Sequence, residues 1–216
     1  MLTATPHPKA TRKAKATGRK ILDVALGLFR TKGFDNTTMR EIAASAGVAT
    51  GAAYYYYPSK DAIVMAFYER TFNEMQTKIG KVLDAPGSLE VRMRELIRVK
   101  LEQFGPNRGV LRGILRNGAD PKHPVSPFSV ETKALREMEI GWFRKLISDE
   151  AARLPGELEE RIPEVLWVFH IGMMFFWIAD DSPRQLHTRR LIDQGMSTVT
   201  ALLRLSSPLP AVVEAS

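Results

Sequence analysis

Four consecutive tyrosines, Tyr54 to Tyr57, run straight into Pro58. Side chains advance about 100° per residue round an α-helix, so four neighbours spread over nearly the whole circumference and cannot all be buried. Some of these phenols must face solvent or a partner. Pro58 disfavours helical geometry in the residue before it, which ends the helix near Tyr57. Upstream, Thr38 and Glu41 have the spacing of a capping box, in which a hydroxyl and a carboxylate satisfy orphan backbone N–H groups at a helix start. A first helix therefore begins near Met39, with Ile42, Ala43 and Ala46 as its apolar stripe. Gly47 supplies the left-handed or otherwise cramped residue at which such a helix stops. Val48 then turns the chain inward, and a second, short helix runs from about Thr50.

Two short helices joined by a tight glycine turn make a helix-turn-helix, whose second helix lies in the major groove of DNA. In that arrangement Ala53 and Tyr57, one turn apart, share the inner face. Tyr54, Tyr55 and Tyr56 are left wholly or partly available to phosphate oxygens, sugars or thymine methyls, and the small Gly51 and Ala52 let the backbone approach the groove. An aromatic-rich core helix is the competing reading of a tyrosine run, and the cap, the glycine turn and the proline together weigh against it. Charge placement agrees. The formal net charge is +7, and all of it lies in the first sixty residues, where ten Lys and Arg face three acids while the remainder balances 21 against 21. A positive module on a neutral body suits a polyanion bound through counterion release better than it suits a merely solubilising tail.

The helix before this segment is predicted from Thr17 or Gly18 to Lys32. Ile21, Leu22, Ala25, Leu28 and Phe29 recur at helical spacing, Gly33 ends it, and Phe34 folds back into the core. Residues 1–16 hold two prolines, four bases and no acid, the composition of a disordered tail. Such a tail either reaches along the minor groove or is an unconstrained terminus.

Taken together, ILDVALGLFRTKGF from Ile21 to Phe34, TTMREIAASAGV and GAAYYYYPSKDAI resemble the N-terminal domain of TetR-family transcriptional repressors. The resemblance covers about Thr17 to Phe67, with Phe29, Gly33, Phe34, Thr38, Ile42, Ala43, Gly47, Val48, Tyr54, Pro58 and Lys60 in register. It implies phosphate contacts from Thr38, from Tyr56 late in the recognition helix, and from Lys60 opening the next helix. It also implies that Arg40, Thr50, Gly51, Ala52, Tyr54 and Tyr55 face base edges or groove walls. Only Arg40 among these has strongly discriminating chemistry, so modest direct readout supplemented by DNA shape is expected. Ala49 departs from the Ser or similar cap usual in the family, and Thr50 is expected to cap the recognition helix one residue late.

The remainder is predicted to be helical throughout. One long amphipathic helix runs from Ser59 to about Leu83, followed by helices at about 88–104, 107–117, 127–154, 158–180 and 184–205, the breaks falling at Gly and Pro clusters. The expected fold is all-α with about nine helices. Residues 1–16 form the basic tail, 17–59 a three-helix DNA-binding domain, 60–205 a larger effector-binding and dimerisation domain, and 206–216 a C-terminal tail. Val165 to Ala179 is apolar apart from His170, yet it is shorter than the roughly twenty residues of a bilayer span and is bounded closely by Glu164, Asp180 and Asp181, so it is read as a buried helix and not a membrane anchor. A helix apolar on every side is buried on every side, one of them against a partner subunit.

TetR-like proteins dimerise through their last two helices, and the resemblance implies a homodimer on double-stranded DNA reading a palindrome at about 34–36 Å spacing. It further implies release by a small-molecule effector. Candidate pocket residues are Phe104, Leu111, Met138, Trp142, Trp167, His170, Met174 and Trp177, bulky, soft or polar groups within apolar helices that suit an apolar or aromatic molecule. Each has a rival role as ordinary core. The rival function is an effector-independent dimeric DNA-binding or architectural protein. No enzyme is expected: the chain lacks cysteine, its four histidines show no metal spacing, and no phosphate-binding glycine loop is present. Neither cofactor nor metal is expected, and the cytoplasm is the expected location.

Overall fold

The computed structural model describes residues 11–151 and 156–205, and every regular element among them is helical. Nine α-helices follow one another: α1 Arg12–Lys32, α2 Met39–Ala46, α3 Thr50–Tyr56, α4 Lys60–Asp84, α5 Leu89–Phe104, α6 Arg108–Ala119, α7 Lys133–Ala151, α8 Gly156–Ala179 and α9 Leu186–Leu205. The N-terminal segment 1–10 and the C-terminal segment 206–216, read above as tails, lie outside the described residues.

Two boundaries differ from expectation. Helix α1 begins at Arg12, inside the stretch assigned to the tail, because Thr11 caps it by accepting a hydrogen bond from the Ala14 N–H at 3.2 Å. The Lys, Arg and Ala residues that follow are all good helix formers, so a basic composition does not preclude order once a cap is in place. Helix α7 starts only at Lys133, against about 127 expected. The preceding turns are held by Ser126, whose hydroxyl donates to the Gly118 carbonyl at 2.8 Å, and by Thr132, whose hydroxyl donates to the Ser126 carbonyl at 2.6 Å. Short hydroxyl side chains offer the backbone partners that compete with helical bonding.

Packing groups the chain into two compact units, and the division falls within α4 and not at residue 59. The first comprises the chain through Gln76 together with Glu102–Arg136. Its core is built from Ile21, Leu22, Ala25 and Phe29 of α1, Ile42, Ala43 and Ala46 of α2, Ala53 of α3, and Ile63 and Phe67 of α4, all buried. Helix α6 packs on α1, with Arg30 donating to the Asn107 side chain at 2.7 Å just before α6 and Gly113 lying against Phe34. The second unit takes Thr77–Leu101 and the chain from Glu137 onward. Its core draws on Met93, Leu96 and Ile97 of α5, Phe143, Leu146 and Ile147 of α7, and Leu166, Trp167, Met174 and Trp177 of α8.

Within α8, Glu160–Ala179 is by length and composition long and apolar enough to cross a membrane, alone among the described helices, and half of that window is buried inside the chain. The buried half alternates with an outward stripe of Val165, Val168, Gly172 and Phe176, spaced by three and four residues so that they share one face.

Candidate DNA interface

The start of α2 is the capping box that Thr38 and Glu41 predict. The Glu41 N–H donates to the Thr38 hydroxyl oxygen at 3.2 Å, and the Thr38 N–H donates to the Glu41 carboxylate at 2.9 Å. Lys32 also pairs with that carboxylate, and this hydrogen bond, followed by those from Thr38, lowers the Glu41 pKa to about 2. Thr38 thus lends its hydroxyl to the helix start, with Met39 and Arg40 next in the first turn. At the far end Gly47 adopts φ 65° and ψ 37°, the left-handed conformation that a residue with a Cβ avoids. The Val48 N–H reaches back to the Ala43 carbonyl at 3.0 Å and the Gly47 N–H to that of Ala44 at 3.1 Å, a Schellman closure that sets the angle between α2 and α3.

Helix α3 begins at Thr50, but its N-cap is Ala49 and no side chain caps it. The expected late cap at Thr50 is therefore corrected: Thr50 is already the first helical residue, with its side chain exposed. Position is imposed from the other end. Ala53 is fully buried, and the Tyr57 hydroxyl donates to the Gly18 carbonyl of α1 at 3.1 Å. Gly18 lies against both rings: a Cβ there would meet the Tyr56 ring at 3.4 Å and the Tyr57 oxygen at 3.7 Å, ordinary contact distances. Tyr57 is half-buried, less enclosed than the inner-face position predicted for it, and burial raises its pKa. Tyr56 is half-buried as well, its ring edge-on to Tyr55 at 5.5 Å between centroids.

Tyr54 and Tyr55 stand out at 50% and 62% exposure, beside exposed Gly51 and a half-exposed Ala52. Arg40 is exposed on α2. Lys60 is placed differently from a free phosphate ligand. Its ammonium donates to the Phe34 carbonyl at 2.6 Å and to that of Asp35 at 3.3 Å, and lies 4.5 Å from the centre of the Phe34 ring. It pins the α1–α2 turn to the start of α4, where Ser59 caps the helix by accepting from the Ala62 N–H. Beside Gly18, α1 presents Arg12, Lys13, Lys15, Arg19 and Lys20 to solvent. Sequence reasoning missed the first part of this ordered basic surface. The signal was Thr11, a capping residue set before a run of helix-forming Arg, Lys and Ala.

An exposed aromatic helix set by a glycine turn and accompanied by exposed cations has the make-up that nucleic-acid recognition uses. The description "Bacterial regulatory proteins, tetR family" matches residues 21–67, and "Tetracyclin repressor-like, C-terminal domain" matches residues 92–216. The chain belongs to the TetR family.

The relatives it matches are transcriptional regulators, not enzymes. The HTH-type transcriptional regulator AcrR of Shigella flexneri is 39% identical over 179 residues, covering 79% of this chain and 82% of AcrR. The HTH-type transcriptional repressor KstR2 of Rhodococcus jostii is 33% identical over 91 residues, 40% of this chain and 45% of KstR2. Several curated relatives are matched over only part of their length, from 37% to 56%. The crystal structure of a TetR transcriptional regulator from Nitrosomonas europaea shares the fold at a TM-score of 0.61 and 17% identity, covering 86% of this chain and 99% of that one.

The effector candidates of this TetR-family chain divide between the two units. Phe104 and Leu111 belong to the first, where Phe104 is a core aromatic packed edge-on to Phe67 and Phe72 at 5.9 and 6.0 Å. Met138, Trp142, Trp167, His170, Met174 and Trp177 belong to the second. There Trp177 donates its indole N–H to Gln185 at 3.0 Å, which ties it to the α8–α9 turn. Trp167 and His170 instead meet two charged residues that the sequence reading overlooked, Lys100 of α5 and Glu139 of α7. Lys100 and Glu139 are 3% and 4% exposed and form an ion pair, and the Trp167 indole N–H donates to the other Glu139 oxygen at 2.8 Å.

His170 is 1% exposed, its ring 5.6 Å from that of Phe143, and both of its nitrogens are buried without a hydrogen-bond partner. Burial first, and the charge of Lys100 second, hold its pKa well below the ordinary histidine range. A buried polar group left unpaired costs about 1–3 kcal/mol. The signal for Lys100 was its position four residues after Leu96 and three after Ile97, on the buried face of α5.

Proposed function

We propose that the chain is a repressor that binds a palindromic operator as a homodimer and is released by a small, largely apolar effector. The DNA half rests on α3, which is held by Ala53 and Tyr57 while Tyr54 and Tyr55 project from it beside Arg40. On this reading Arg40 is the guanine-reading side chain. Tyr54, Tyr55, Thr50, Gly51 and Ala52 lie along the groove, and Tyr56 and Thr38 hold the backbone. Lys60 acts by fixing the α1–α2 turn, with its remaining donor capacity toward phosphate. The cations of α1 extend the same positive surface.

The outward stripe of α8 supports the dimer. Val165, Val168 and Phe176 are 57%, 53% and 42% exposed, an apolar line beside Gly172 that a second copy of α8 and α9 would cover. Two recognition helices at about 34–36 Å then read successive major grooves on one face of the duplex. The bound dimer represses by occluding polymerase, and the protein works where the chromosome is, in the cytoplasm. The unpaired His170 supports an effector site in the second unit. Helix α4 starts beside the recognition helix and continues into that unit, so it is the covalent path for coupling, typically worth about 1–3 kcal/mol. The alternative is an architectural protein whose second unit only dimerises.

Selection of bound DNA from a random pool tests the reading. The expected product is a palindrome with half-sites one helical turn, or a multiple of it, apart. Recovery of a single unrepeated half-site, or of no consensus, would overturn it.

A further inference from the structure

The second unit buries a polar group with nothing to bond. Among the described residues, His170 is the side chain whose every polar atom is both buried and without a partner. The charged groups nearby are engaged with one another: Glu139 accepts from Lys100 and from the Trp167 indole. Lys100 and Glu139 together carry no net charge, whichever of them holds the shared proton. The Phe143 ring lies 5.6 Å from the imidazole, and Trp167 and Met174 stand one turn away on α8.

Resting on the effector reading above, we infer that His170 is the polar anchor of the effector site, and that the effector is an uncharged, largely apolar or aromatic molecule carrying a hydroxyl group. The charge follows from the surroundings. A buried site whose Lys100–Glu139 pair is already neutral disfavours an ion brought in without a counter-charge, because the ion loses its water and gains no new partner. The hydroxyl follows from the imidazole. A neutral histidine offers one N–H donor and one lone-pair acceptor, and a hydroxyl is the smallest group able to pair with either. A pure hydrocarbon would leave both nitrogens orphaned. A carboxylate would have to compete with Glu139 for Lys100.

The test uses the full chain and three graded sets of compounds in equilibrium dialysis. Phenol, 2-naphthol and 1-hydroxypyrene are each compared with their parent hydrocarbon and their carboxylate. At least one hydroxylated compound is expected to bind roughly tenfold more tightly than both of its counterparts, the value of one buried hydrogen bond. His170→Phe should bind that compound and its hydrocarbon equally, whereas His170→Gln, which keeps a donor and an acceptor, should retain the preference. Circular dichroism checks that each variant folds. Should the phenylalanine variant fail to fold, nitrogen-15 resonances of the wild-type imidazole serve instead, and they should move with the hydroxylated compound but not with the hydrocarbon.

Failure of every hydroxylated compound to bind, tighter binding of a carboxylate, or a hydroxyl preference that survives in His170→Phe would each overturn the assignment. Release of the selected operator is measured separately. Binding with the expected preference but without release would leave the site assigned and remove the effector reading alone.

Discussion

Arg40 and Tyr57 illustrate the two kinds of work done by single residues in the first unit. Tyr57 was legible as the inner member of the tyrosine run from helical spacing alone, but its partner was not: the carbonyl of Gly18 is 39 residues away in sequence. Periodicity reports which face a side chain occupies, and it carries no record of which distant carbonyl will receive its hydroxyl. Arg40 is the reverse case. Its exposure follows from lying to one side of the buried face that Met39, Ile42, Ala43 and Ala46 form on α2, and the function proposed for it depends on a partner outside the chain. Arg40→Ala is expected to leave the fold intact, since the side chain is exposed and the capping box does not use it. It should cost about 1–3 kcal/mol at the base pair it reads and flatten preference at that position. Competition binding against operators changed one base pair at a time would reveal this, and an unchanged preference would take Arg40 out of direct readout.

Helix α2 is the element whose stability is most plainly written in its ends. Lys32, Thr38 and Glu41 form one cluster at its start, and the Glu41 carboxylate is held at about 2 against an ordinary 4.5. A carboxyl depressed in the folded state contributes stability that is present above its unfolded pKa and is lost as pH falls toward its folded value. The folded protein should therefore lose stability between about pH 5 and pH 2, and Glu41→Gln should reduce the pH dependence across that window. Thermal melts of the two proteins at closely spaced pH values would measure it, and identical profiles would mean that the cluster is held as firmly in the unfolded chain.

Such local chemistry is why α2, α3 and the long α4 could be read from sequence to within a residue or so. The α7 start was misplaced because Ser126, Ser129 and Thr132 bond to carbonyls in turns that no periodicity announces. The Lys100–Glu139 pair was missed for a related reason. A charge on an apolar helix face reads as a solvated residue until the opposite charge, 39 residues on, is brought to it.

At the scale of the whole molecule, the division of charge and the exposed stripe of α8 have a common explanation. All the net positive charge lies in the first sixty residues, which also carry the recognition helix, while the second unit contains the Val165–Ala179 stretch of α8, apolar apart from His170. A cation-rich unit repels its own copy, so the proposed dimer draws its association from the other unit. The stripe of Val165, Val168, Gly172 and Phe176 is the apolar surface available there. On the proposed reading, dimerisation gives the DNA contact its specificity. One helix-turn-helix whose single strongly discriminating side chain is Arg40 of α2 reads too few base pairs by itself, and two held at a fixed separation bind as one, with the second contact intramolecular.

Val168→Glu combined with Phe176→Glu places like charges on the stripe at positions already exposed, so helicity should be unchanged. The variant is expected to sediment as a monomer at micromolar concentrations where the parent is a dimer. Its operator affinity should fall by at least the avidity term, about a hundredfold, while binding to an isolated half-site is unaffected. A variant that remains dimeric places the interface elsewhere on the chain, and one that is monomeric yet binds the palindrome as tightly as the parent removes dimer spacing from the recognition mechanism.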